Sequence, residues 1–211
     1  MPSVVGVLDY GTGNVASLEA AFESVGARTV LVAAPSELTA LDALVLPGVG
    51  HFGPASASLV KRGMVDPLLQ AVRSGLPTLG ICLGFQLLTA SSEEAPNALG
   101  LALFPQLRSV RIRPAQPNLH KVPHLGWNSL DHTLNSPSLL DGIPPADQLF
   151  YFANAYAVAS NGALALPHSV YSHGSTWLGL VQDVNVCGVQ FHPEKSRRQG
   201  LQVLRNFLTL L

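Results

Sequence analysis

The chain has 211 residues, 47% hydrophobic and only 12% charged, which is enough apolar material for a buried core and excludes a disordered chain. Twelve basic residues against thirteen acidic ones give a formal charge of −1; no basic stripe follows a phosphate backbone, so nucleic acid is not an expected partner. The 19 glycines and 16 prolines break the apolar residues into blocks shorter than the roughly 18 residues of a membrane span.

The segment MPSVVGVLDYG lacks the basic-then-apolar order of a secretory signal. The two cysteines, Cys82 and Cys187, do not make a disulfide framework. A soluble cytoplasmic protein is the expectation.

In chain order, Val4 to Leu8 reads as a buried strand. Asn14 is placed to cap a helix from Val15 to Val25, with Gly26 as its stop. Thr29 to Val32 and Ala43 to Leu46 are the next strands. Asp66-Pro67 reads as a side-chain cap with proline at the first helical position, opening a helix that ends at Ser74 before Gly75. Pro77 to Ile81 is a fourth strand and Leu83 to Ala90 another helix. Strands and helices in this alternation imply a parallel sheet covered on both faces. From Leu103 to Phe152 the chain is proline-rich and less regular. Ala163 to Phe191 reads as hairpins, hence antiparallel strands attached to the parallel core, and Gln199 to Leu210 as an amphipathic helix. No linker interrupts the pattern, so one α/β domain over residues 1–211 is expected.

The strongest chemical signal is Gly80-Ile81-Cys82-Leu83-Gly84, between an apolar strand and a helix. It has the form of a nucleophile elbow with cysteine in place of serine. The sharp turn needs small residues two before and two after the nucleophile, and the helix N-terminus favours a thiolate. Alone, the pentapeptide also suits a small buried cysteine in a glycine-rich turn. A nucleophile needs a base, and the base an orienting group. Of seven histidines, His192 ends a strand with Glu194 two residues on, and Pro193 fixes its own φ and restrains the residue before it. In an extended chain these two side chains point the same way. Without the elbow, they would read as an exposed pair at a strand end.

A carbonyl substrate also requires backbone N–H donors for its oxyanion. Leu83, directly after the nucleophile, is one candidate; the loop Leu46 to Phe52, with Gly48 and Gly50, is the source of another. Gly11-Thr12-Gly13-Asn14-Val15-Ala16 matches a dinucleotide-binding turn, but no acid closes the second strand about 20 residues on, so nucleotide binding is set aside. Cys187 alternates within a strand as a core residue. No His or Cys cluster has zinc spacing, so neither metal nor cofactor is expected.

The elbow with Gln86 two residues later, together with Phe191-His192-Pro193-Glu194, resembles the class I glutamine amidotransferases. Further segments narrow the likeness to the glutaminase subunits of imidazole glycerol phosphate synthase: DYGTGN (9–14), LPGVGHF (46–52), KVPHLGWN (121–128), FYF (150–152) and FHPEKS (191–196). The resemblance spans residues 4 to 208. It implies a three-layer fold with a mostly parallel sheet, helices on both faces and antiparallel C-terminal strands. It implies Cys82 as nucleophile on L-glutamine, His192 as base and then acid, and Glu194 as orienting carboxylate. Gly50 and Leu83 become the oxyanion donors, and Gln86 a ligand for the backbone groups of glutamine.

Asn14, Lys121, Trp127, Tyr151 and Lys195 become the face that meets a synthase (cyclase) subunit, a (β/α)₈ barrel, in a heterodimer of histidine biosynthesis. Ammonia passes into the barrel without meeting solvent. There it serves to make imidazole glycerol phosphate and aminoimidazole carboxamide ribotide. One departure is visible: Ala153-Asn154-Ala155 stands where the family has Val-His-Ser/Thr, removing an imidazole and a hydroxyl near the glutamine. The other readings are a free-standing cysteine γ-glutamyl hydrolase, the glutaminase of another class I amidotransferase, and a non-catalytic module on the same fold. The docking segments oppose the solitary hydrolase, and the intact Cys82, His192 and Glu194 oppose the non-catalytic module.

Overall fold

The computed structural model describes residues 2–11, 15–132, 136–160 and 164–211. Its first part alternates β1 (Val4–Leu8), α1 (Ala16–Ser24), β2 (Arg28–Val32), β3 (Ala43–Leu46), α2 (Phe52–Lys61), α3 (Val65–Arg73), β4 (Thr78–Ile81) and α4 (Leu83–Leu88). Apolar strands joined by helices have to lie parallel, and β1 pairs so with β2 and β3, and β3 with β4. There follow β5 (Leu107–Arg111), β6 (His124–Ser129), β7 (Asp131–His132), β8 (Leu149–Asn154), β9 (Tyr156–Ser160), β10 (His168–Ser172), β11 (Thr176–Asp183), β12 (Val186–Val189) and α5 (Arg197–Leu208).

Among the described residues the main sheet runs β2-β1-β3-β4-β12-β11-β10-β7, beside two ribbons, β5-β9 and β6-β8. The expected hairpins are there, β10 with β11 and β11 with β12. β12 also enters the centre of the sheet, parallel to β4. Alternation along the strands sorts the core into two layers. Val5, Val7, Val45, Leu79 and Val189 lie with α1 and α5 through Phe22, Val203 and Phe207. Leu8, Leu44 and Leu46 lie with α2 and α3 through Leu59, Leu68 and Val72.

The element ends show where local signals were misleading. α3 begins at Val65 after Met64, and Asp66 makes no capping bond. The helix is anchored by Met64, only 1% exposed. Pro67 is tolerated because a first-turn N–H has no intrahelical acceptor. α4 stops at Leu88, short of Ala90, where the Thr89 hydroxyl takes the Gln86 carbonyl at 2.8 Å. The glycine stops hold, with Gly26 at φ +91° and Gly75 at φ +102°. Asn14, the expected cap of α1, lies outside the described residues.

Candidate active site

The site forms where β4 and β12 end side by side, the edge at which open α/β sheets place their ligands. Val189 is paired with Ile81, and the Cys82 N–H extends the ladder to the Val189 carbonyl at 2.7 Å. Beyond that rung the two chains emerge together, one as Cys82 and the other as Gln190 to His192. Cys82 sits at φ 48°, ψ −100°, a conformation a non-glycine residue seldom adopts. The flanking glycines are steric necessities. A Cβ on Gly84 would fall 2.0 Å from the Leu46 carbonyl oxygen, and one on Gly80 2.7 Å from the backbone of Gly84 and Phe85.

His192 and Glu194 meet, with Nδ1 to Oε1 at 2.7 Å and side chains 2% and 8% exposed. The reason differs from the extended geometry read in the sequence. His192 is extended, but Pro193 opens a single 3₁₀ turn, Pro193–Lys195, that brings the Glu194 carboxylate back to the ring. Ser196 holds that turn: its hydroxyl donates to the His192 carbonyl at 2.6 Å and accepts the Tyr151 N–H at 2.9 Å. Burial lowers the His192 pKa, but the charge of Cys82, a hydrogen bond to its sulfur, and Glu194 outweigh burial and push it up to about 10. With Nδ1 committed to the carboxylate, Nε2 is the nitrogen left for the sulfur.

Cys82 and His192 border a cleft of about 280 Å³ lined also by Gly48, Gly50, Leu83, Gln86, Glu94, Ala153, Ala155 and Lys195. That volume lies just under the range for drug-sized ligands and suits a small molecule. A larger hollow of about 690 Å³, between the Pro35–Ala40 turn and α3, is lined by no histidine or cysteine. Its Asp42 carboxylate is taken by the Val4 N–H. The smaller cleft therefore holds the chemistry.

Gly48 approaches closely enough that a Cβ there would sit 3.1 Å from both Cys82 Cβ and His192 Cε1. Gly50 lies at φ +114°. The Pro47 carbonyl, at the head of this loop, accepts the buried Tyr10 hydroxyl. The Gln86 Nε2 donates to the Tyr156 carbonyl at 2.9 Å. At the departure from the family, Ala153 and Ala155 present methyl groups. The Asn154 amide nitrogen donates to the Tyr156 carbonyl and the Tyr171 hydroxyl at 2.9 and 3.1 Å.

Trp127 and Tyr151 are cross-strand neighbours on the β6-β8 ribbon, with rings 5.9 Å apart. Lys121 and Lys195 are exposed; Asn14 lies outside the described residues. Cys187 is wholly buried, and burial pushes its thiol up to about 12, in keeping with a core role. Among the described residues no three His, Cys, Asp or Glu side chains gather as a metal site.

One cleft residue and one buried neighbour of Cys82 escaped the sequence reading. Glu94 joins α2 from outside, accepting the Phe52 N–H at 2.8 Å and lying 3.0 Å from His51 Nδ1; no periodicity points to it. Gln190 reaches Cys82, its Nε2 3.5 Å from Sγ. Its signal was its place two residues before His192, just past the end of β12.

The sequence profile of the family Glutamine amidotransferase class-I matches residues 6–211. The imidazole glycerol phosphate synthase subunit HisH of Methanothermobacter thermautotrophicus is 41% identical over 208 residues, covering 99% of each chain. The subunit of the same name from Desulfitobacterium hafniense strain Y51 is 42% identical over 204 residues, 97% of this chain and 93% of that one. Among solved structures, a chain of PurLQS from Thermotoga maritima superposes with a TM-score of 0.72 at 17% identity, over 99% of both chains. That likeness concerns the fold alone. With the profile spanning nearly the whole chain, this protein belongs to the class-I glutamine amidotransferases.

Proposed function

We propose that the chain is the glutaminase subunit of an imidazole glycerol phosphate synthase. In this reading a single domain over residues 1–211 hydrolyses L-glutamine and passes the ammonia to a synthase (cyclase) subunit in a cytoplasmic heterodimer. The observation that carries the reading is the buried meeting of Cys82, His192 and Glu194 beside a cleft sized for one amino acid, in a chain about as long as the HisH subunits it matches.

The chemistry follows from the geometry. The Cys82 thiolate attacks the side-chain amide carbon of glutamine, and the carbonyl electrons move onto oxygen. The Leu83 N–H, first in α4 and without an intrahelical acceptor, and the Gly50 N–H receive that oxyanion. Collapse breaks the C–N bond as His192 gives its proton to the leaving nitrogen, releasing ammonia and leaving a thioester. Neutral His192 then takes a proton from water, which attacks the thioester. The C–S bond breaks, glutamate departs, and thiolate and imidazolium are restored. Glu194 keeps the ring in place through its bond to Nδ1. Gln86 holds the amino-acid end of the substrate, and Glu94 is the carboxylate beside the cleft that suits its ammonium.

The outer face of the β6-β8 ribbon supports a docked partner. Leu125, Trp127 and Leu149 stand 66%, 39% and 45% exposed, side by side through pairing of Trp127 with Tyr151 and Ser129 with Leu149. Arg197 lies 4.9 Å over the Trp127 ring. Buried aromatics with arginine are typical anchors of an interface. We assign Lys121 and Lys195, both exposed, to the partner-binding surface as well; Asn14, assigned with them from the resemblance, lies outside the described residues. Among the described residues no helix is long and apolar enough to cross a membrane.

Glutamine hydrolysis by the purified chain, measured with and without the synthase subunit and its acceptor substrate, tests the assignment. Weak hydrolysis alone and strong stimulation in the loaded complex are expected. Full activity without a partner would instead establish a solitary hydrolase.

A further inference from the structure

The Gln190 side chain is wholly buried. Its Nε2 lies 3.5 Å from Cys82 Sγ, and its Oε1 is buried without a partner among the described residues. No step of the mechanism above uses it. The fold nevertheless delivers it to the sulfur. β12 lies parallel to β4 with Val189 beside Ile81, so the next residue on each strand, Gln190 and Cys82, are also neighbours. The Gln190 N–H pins the backbone there by bonding the Gly179 carbonyl at 2.9 Å. Past the end of β12 the chain bends at Gln190 and Phe191, and side chains 190 and 192 both reach Cys82, so one strand end offers two donors to one sulfur.

A thiolate only accepts hydrogen bonds, and a carboxamide facing it must present its N–H. The unpartnered oxygen fits that orientation, because reversing the amide would set its carbonyl against an anion. We propose that Gln190 is a second, uncharged hydrogen-bond donor to the Cys82 thiolate, holding the sulfur ionised and aimed while His192 moves the proton.

The two donors differ in kind. His192 surrenders its proton as ammonia leaves, whereas a carboxamide does not titrate and donates throughout. It therefore also steadies the thiolate expelled when water cleaves the thioester, as the electron pair of the C–S bond returns to sulfur. Of the other titratable groups, His51, Glu94 and Lys195 line the same cleft, and the Tyr10 and Tyr171 phenols lie near the sulfur. Burial first and the charge of Cys82 second raise the Tyr10 pKa; burial raises that of Tyr171, the Asn154 hydrogen bond lowers it, and the charge of Cys82 raises it again. The Tyr10 hydroxyl is spent on Pro47 and the Tyr171 hydroxyl accepts from Asn154, so neither adds a negative charge.

This inference rests on Cys82 being the nucleophile, and the experiment separates the two. The unsubstituted chain, Gln190→Met (similar in length, without N–H) and Gln190→Asn (amide retained but drawn back) are compared in complex with the synthase subunit. The readouts are the pH profile of Cys82 alkylation by iodoacetamide, located by peptide mass, and the kcat and KM for glutamine. At neutral pH the unsubstituted chain should be alkylated at Cys82 faster than free cysteine. Gln190→Met should displace the alkylation profile toward higher pH by about one unit relative to the unsubstituted chain and lower kcat about 10- to 100-fold, the range for a lost hydrogen bond to a charge. KM should stay within about threefold, since substrate binding is not touched. Gln190→Asn should fall between. An unchanged ammonium-driven synthase rate in all three shows intact folding and docking. Identical alkylation profiles for Gln190→Met and the unsubstituted chain overturn the proposal; if Gln190→Met does not fold, an unchanged profile in Gln190→Asn does so. A Cys82 no more reactive than a free thiol in the unsubstituted chain overturns the nucleophile assignment instead.

Discussion

The cleft and the outer face of the β6-β8 ribbon are made of opposite materials. At the cleft, Cys82 and His192 are 5% and 2% exposed, and removal from water strengthens a charge pair. On the ribbon, Leu125 and Trp127 remain open to solvent, as apolar surface awaiting a partner does. Tyr151 belongs to both. Its ring lies against Trp127, while its carbonyl accepts the His192 N–H at 2.8 Å and its N–H donates to Ser196. A shift of β8 on docking therefore reaches the backbone of His192 through one hydrogen bond directly and through two by way of Ser196.

The largest expected effect isolates the cleft. Cys82→Ser should abolish glutamine hydrolysis, because a serine hydroxyl lacks the acidity to be activated in the same way. The complex should still assemble and still make product from ammonium salts; hydrolysis near the unsubstituted rate, measured as glutamate released, would contradict the division of labour.

Gly48→Ala probes the same region more finely. The new methyl lies 2.9 Å from the Ile81 carbonyl oxygen and 3.1 Å from Cys82 Cβ and His192 Cε1, so it wedges between nucleophile and base. A misplacement of that order lowers kcat about 10²-fold, and steady-state kinetics beside a thermal melt will show activity falling much further than stability.

On the ribbon the pattern should invert. Trp127→Ala removes an anchor worth about 2 kcal/mol or more, weakening synthase binding by about 30-fold in a calorimetric titration. The rate of Cys82 alkylation in the free chain should not change.

The smallest effect is one of pH. His124 stacks on Phe152, Tyr171 and His173. Burial first, then His173 and His120, lower it to about 4 from the ordinary 6.5. The unfolded chain thus binds the proton more readily, so this contribution to stability is present above pH 6.5 and lost as pH falls through 4. Melting temperatures should decline across that window, and His124→Phe should flatten the decline.

The first 88 residues were the more legible part. Buried strands such as Val4–Leu8 and Ala43–Leu46 carry continuous apolar runs, and their helices stop at glycines with positive φ. The elbow was legible as a short pattern of small residues around a cysteine, although only Gly80 is crowded by its own turn; Gly84 is crowded by Leu46 of β3. Asp66 was misread as a cap because burial of Met64, a tertiary fact, sets where α3 starts. Gln190 had the right spacing, yet its meaning depends on a sulfur 108 residues away, and Glu94 had no pattern at all.

From sequence alone came the chemical types and their local frames: a cysteine in a turn that only glycines permit, and a histidine and glutamate restrained by the proline between them. The proline restraint and the need for glycine at position 80 follow from backbone sterics within a few residues. Tertiary structure decided which strand end stands beside which. Inserting β12 parallel to β4, rather than leaving it in a peripheral hairpin, brings base, orienting carboxylate and Gln190 to the sulfur. That choice is made by burial of the whole sheet between its two helix layers, and no local preference encodes it.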